Sequence, residues 1–198
     1  MIEERVRSPA ELPDILRPGL KIVFCGINPG LGAAAGGRHF IGKGNRFWKV
    51  LHLAGFTPEQ MRPDQDSLLM DYGCGLTTAV SRPSARAADL SKSELVAAAS
   101  DLRRKVEAFA PEYIAFLGKA AYGAMVGQPG VTWGRQRQVF GGAVAWVLTN
   151  PSGLNRGYSI EDLVKAYAEL RIEAGLSDRR LGRAPETRLA AVQYEKPT

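Results

Sequence analysis

Two asparagines stand before prolines where apolar runs end: Asn28 in Gly26-Ile27-Asn28-Pro29-Gly30, and Asn150 in the stretch Asn150-Pro151-Ser152-Gly153-Leu154-Asn155-Arg156. A residue before proline is pushed out of the helical region, so each asparagine is held extended and its amide projects from the end of the run. Flanking glycines let a ligand or a second backbone approach closely, and proline has no N–H to compete for acceptors. A carboxamide is no general base near neutral pH. Its oxygen only accepts a hydrogen bond, so the chemistry open to this pair is the orientation of a water and of a polar ligand. Asp89, in SRPSARAADLS, has two readings. It could activate water better than an amide, or it is a turn residue whose charge suits a following helix N-terminus. Cys25, Cys74, His39 and His52 are the only cysteines and histidines, too few in this arrangement for a disulfide framework or a four-ligand zinc or iron–sulfur site, so cofactor-free chemistry is expected. Gly37, Gly42 and Lys43 match GxxxxGK, but Gly44 replaces the hydroxyl residue that would hold magnesium and no strand leads into Gly37.

Loops of this kind need strands behind them. KIVFC (21–25), YIAFL (113–117) and AVAWVLT (143–149) are short and apolar, as strands covered on both faces are, and LTTAV (76–80) is a weaker fourth. Ser91 and Glu94 form a capping box ahead of Leu95, Ala99, Leu102, Val106 and Phe109 on one helical face. Ser159 and Asp162 open a second helix through Leu163, Tyr167 and Leu170, and shorter helices are predicted at 45–53 and 119–126. Strands separated by helices predict a three-layer α/β/α domain around a mainly parallel, four-stranded sheet. Ligands in such sheets bind beyond the carboxyl ends of the strands, where both asparagine loops lie.

The 198 residues are 45% hydrophobic and 23% charged, the balance of a folded domain. We read 1–17 as an N-terminal extension, 18–175 as one domain, and 176–198, with Arg179, Arg180, Arg183 and Arg188, as a basic tail expected to be mobile. No apolar stretch approaches the roughly 18 residues of a membrane span, and the opening MIEERVRSPAELPD lacks a signal-peptide core; a cytoplasmic location is expected, without membrane partners. Lys and Arg number 26 against 20 acidic residues, a net +6 that favours polyanions, with nucleic acid first among them.

Together GINPGL (26–31), GNRFWKVLHLAGF (44–56), LGKAAY (117–122) and NPSGLNR (150–156) resemble the mismatch-specific uracil (and thymine) DNA glycosylase family, over residues 18 to about 172. The resemblance implies the uracil-DNA glycosylase fold and a monofunctional monomer that hydrolyses the glycosidic bond of uracil in double-stranded DNA, mainly opposite guanine, with no cofactor. It implies that Asn28 places the water and that Phe40 stacks on the extruded base. The base would lie among Gly26, Ile27, Pro29, Gly30 and Asn150, with Asn45 fixing the loop that opens a helix. Leu154 would fill the vacated space, Gly153 and Asn155 would meet the widowed guanine, and Arg156, beside Ser152 in the same loop, would grip a phosphate or the displaced strand. The chain departs from relatives at Gly32-Ala33-Ala34-Ala35, smaller and less polar, and at Asn155, where several have a small hydroxyl residue. A DNA-binding module without catalysis is the rival reading: it keeps the basic surface and the wedge but does not need Asn28.

Overall fold

Three of the apolar runs become strands shielded on both faces: β1 (Ile22–Gly26), β3 (Tyr113–Leu117) and β5 (Ala143–Leu148). The computed structural model describes residues 12–181. With β2 (Cys74–Thr78) and β4 (Gly134–Phe140) they form one sheet in the order β2-β1-β3-β5-β4. The first four strands are parallel and β4 runs antiparallel to β5 at the edge. The sheet thus has five strands where four were expected. In β4 only Gln136 and Phe140 are buried, so GRQRQVF has the wet, polar pattern of an edge strand and no apolar run to betray it.

Alternate strand residues serve two helical layers. Phe24, Ala115 and Leu117 pack with α2 (Phe47–Leu53) and α5 (Ile160–Glu173), while Cys25, Ile114 and Phe116 pack with α3 (Lys92–Phe109) and α4 (Lys119–Val126). Phe24 anchors the first layer, edge-on to Phe47 and Phe56 at 5.5 Å each and stacked on Tyr167 at 6.0 Å. Both capping boxes form. Ser91 Oγ accepts from Glu94 N at 3.2 Å to start α3, and Ser159 Oγ accepts from Asp162 N at 3.1 Å to start α5.

The packed body reaches past both expected edges. Ile15 exchanges backbone hydrogen bonds with Leu76 at 2.9 Å each, so part of the supposed N-terminal extension covers the free edge of β2. Within the expected tail, Leu176 N donates to Arg171 O, Arg179 N to Gly55 O, and Arg180 Nη1 to Leu53 O, docking residues 176–181 against the domain. Arg183 and Arg188 lie outside the described residues.

Candidate active site

The loops leaving β1, β2 and β5 meet the segment 39–45 around a cavity of about 210 Å³. Its wall contains Gly26, Ile27, Asn28, Pro29 and Gly30 from the first loop and Asn150, Ser152 and Leu154 from the last, with Phe40 and Asn45 between them. Parallel pairing explains the convergence. β1, β3 and β5 all run the same way, so their exits open on one rim.

Asn28 is fixed by its nitrogen. Its Nδ2 donates to Ser84 Oγ at 2.8 Å, to the Arg82 carbonyl at 3.0 Å and to the Pro29 carbonyl at 3.2 Å. Carbonyls only accept, which sets the amide's orientation and leaves Oδ1 as an acceptor; among the described residues nothing donates to it. The support extends outward. Ser84 Oγ donates to Arg86 O at 2.7 Å, and the Arg82 guanidinium lies 2.7 Å from Glu94, whose carboxyl it holds down to about 2.

Asn45 and Asn150 are fixed the other way round. Asn45 Oδ1 accepts from Phe47 N at 2.9 Å, and Asn150 Oδ1 accepts from Ser152 N at 2.9 Å. Both keep Nδ2 without an acceptor among the described residues, as do the N–H groups of Ile27 and Asn28. The three asparagines of the wall therefore offer one acceptor and two donors whose directions are set before any ligand arrives.

Phe40 stacks on Phe47 with ring centroids 3.8 Å apart and 22° between planes, and still lines the cavity. Its φ of 55° is uncommon for a non-glycine residue and needs support from its surroundings. Buried Asp66 provides it, accepting from His39 N at 3.1 Å and pairing with Arg38 at 2.8 Å, while Trp48 Nε1 donates to His39 O at 3.3 Å. Burial pushes the His39 imidazole below its ordinary 6.5, although the Pro13 carbonyl, 2.9 Å from Nε2, works in the opposite direction.

The loop after β5 is held from beneath by Arg46. Its guanidinium donates to the carbonyls of Tyr158 and Asn155 at 2.8 Å, Ser152 at 3.3 Å and Pro151 at 3.4 Å. Gly153 lies against Gly44 so closely that a Cβ there would meet Gly44 O at 2.6 Å. Asn155 Nδ2 donates to Asn150 O at 3.0 Å, closing the loop on itself. Thus braced, the loop presents Leu154 at 76% exposure, with Arg156 exposed beside it. Asp89 is not brought in: its carboxylate accepts from Arg86 N at 2.9 Å, closing its own turn, and is absent from the cavity wall.

The sequence profile of the uracil DNA glycosylase superfamily matches residues 13–171. The chain belongs to that superfamily. Among solved structures it is similar to a Methanosarcina acetivorans protein, determined in solution and described as a candidate uracil DNA glycosylase. The two are 16% identical over 82% of this chain and 98% of that one, with a TM-score of 0.52, which speaks to the fold.

This uracil DNA glycosylase superfamily member uses residues that sequence reasoning passed over. Arg46 stood inside a recognised motif, but its partners are carbonyls more than 100 positions away. Ser84 had no signal beyond its place in a turn-rich stretch. His39 was counted only among four cysteines and histidines too few for a metal site, yet its backbone N–H and carbonyl help hold the segment that carries Phe40.

Proposed function

We propose that this chain hydrolyses the N-glycosidic bond of uracil in double-stranded DNA, most readily opposite guanine, by turning the nucleotide out of the helix. The observation that carries the reading is Asn28: an amide pinned through its nitrogen, with its carbonyl oxygen the free acceptor in a cavity that Leu154 borders. A cavity of about 210 Å³ lies below the roughly 300–1,000 Å³ of pockets for drug-sized ligands and suits a single nucleobase. Uracil's edge presents acceptor, donor, acceptor, and its carbonyl oxygens call for donors of the kind that the free Asn45 and Asn150 Nδ2 groups supply.

In the reaction, C1′–N1 breaks with its electron pair leaving on the base, and a water held by Asn28 Oδ1 forms the new C1′–O bond and gives its proton to solvent, from which the departed uracil anion is protonated. An amide cannot take that proton, so the rate enhancement rests on placement of the water and on donors aimed at the developing negative charge of the base. No covalent enzyme intermediate is needed. Extrusion costs a few kcal/mol and least for a mispaired base, which favours U·G over U·A. Leu154 fills the space left behind. Every group used comes from one chain, so a monomer suffices.

Release of free uracil from U·G duplexes tests this. Asn28→Ala should slow single-turnover release at least a hundredfold while changing duplex affinity less than threefold, since its contact grows as the bond breaks. Leu154→Ala should depress U·A turnover more than U·G. Tight binding of U·G by the wild type with no base released would instead establish a mismatch-binding module.

A further inference from the structure

Beyond the cavity, the same rim carries an aromatic pair that the reaction does not use. Trp133 stands immediately before β4, whose Gly134 pairs with Val147 near the carboxyl end of β5; Tyr158 closes the loop that Arg46 holds. Their rings meet edge-on at 5.8 Å and 87°. Lys119, the first residue after the β3 exit turn, places Nζ 4.3 Å over the Trp133 ring. Among the described residues no carboxylate lies within ion-pair distance of that ammonium, so its charge is unpaired.

Trp133 is 40% exposed, whereas Trp48 and Trp146 are 5% and 7% exposed. Leaving a large indole in water on the rim forgoes burial that the other two tryptophans obtain. Beside it lies a cavity of about 240 Å³ whose wall includes Trp133, Tyr158 and Trp146 with Asp162, Lys165 and Glu169, and the Trp146 indole N–H is buried without an acceptor. The exposed part of the indole and the unpaired cation against one of its faces share one complement. That complement is a flat or apolar nucleoside face followed by a phosphate.

We propose that Lys119, Trp133 and Tyr158 form a second nucleotide subsite, which takes a deoxynucleotide of the substrate duplex flanking the extruded one. The sugar or unstacked base packs on Trp133, its phosphate lies on Lys119, and Tyr158 carries the contact into the wedge loop. Continuity with the proposed glycosylase site selects DNA as the occupant, and the inference rests on that reading. Opening the duplex at the lesion unstacks the neighbouring nucleotides, so such a face becomes available when Leu154 enters.

Acrylamide quenching of tryptophan fluorescence reads the subsite directly, because Trp133 is the exposed one of the three tryptophans. Saturation with a U·G duplex carrying a non-hydrolysable 2′-fluoro-deoxyuridine should remove most of the quenchable fraction. Trp133→Ala should raise KM for the U·G duplex roughly tenfold, leave the saturated single-turnover rate within twofold, and be largely rescued in Trp133→Phe. Duplexes cut short on the uracil strand or on the guanine strand then assign the source: the wild-type advantage over Trp133→Ala should vanish when the strand that supplies the nucleotide is cut back. Unchanged quenching at saturation, or an equal Trp133→Ala penalty on both truncated duplexes, would overturn the subsite. Loss of quenching on the 2′-fluoro duplex, with no uracil released from the unmodified U·G duplex, would keep the subsite and overturn the glycosylase reading.

Discussion

Asn28, Asn45 and Asn150 each commit one end of the amide to the protein and leave the other to a ligand. Residue type alone announces the polar group; which end is free depends on partners. Asn28 and Asn150 were legible because proline and strand exit fix their backbones, but that Ser84 and the Arg82 carbonyl would claim the Asn28 nitrogen was not, since those partners arrive from another loop. Of the two readings of Asp89, the turn residue is the one seen, with a local partner in Arg86 N. His39 supplies a test at this scale. The folded chain keeps its imidazole neutral below 6.5, whereas the unfolded chain takes up a proton near 6.5. The unfolded state then binds more protons, so the stability from a neutral His39 is fully present above about 6.5 and lost progressively as pH falls below it. The wild-type Tm should therefore fall on acidification more steeply than that of His39→Gln, which cannot titrate in this range. Parallel Tm–pH curves for the two proteins would remove His39 as the cause.

At the scale of elements, the strands buried on both faces were readable because nothing but apolar side chains suits them. The edge strand was unreadable because half its surroundings are water. Helix starts followed from Ser91 and Ser159, whose caps use only local partners. The six-residue helix Leu31–Gly36 was hidden in a run of glycine and alanine. What no local rule supplies is the contact of two loops more than 100 residues apart, Gly153 on Gly44. Neither backbone can yield cheaply, so Gly153→Ala should cost about 1–3 kcal/mol by overpacking and displace the Leu154 loop. Thermal unfolding checks the first effect. A U·G to U·A release ratio that rises above wild type checks the second.

Over the whole molecule, a net charge of +6 gives attraction without sequence information, and the rim decides where it is used. Duplex affinity should fall linearly in log–log form as salt rises, and Arg156→Ala, on an exposed guanidinium beside Leu154, should reduce the slope by about one if it contacts a phosphate. Fluorescence-anisotropy titrations from low to moderate salt measure both slopes. An unaltered slope would return Arg156 to the solvated surface.

The four carbonyls gathered by Arg46 have a kinetic meaning. They couple the loop of the exposed Leu154 to the helix start that bears Asn45, so in the proposed reaction the part that would plug the duplex and the part that would receive the base travel as one piece. Plugging and capture are then geared to each other. In the proposed reaction a half-engaged enzyme, with the gap stoppered but the pyrimidine still in its stack, would have to break those Arg46 contacts.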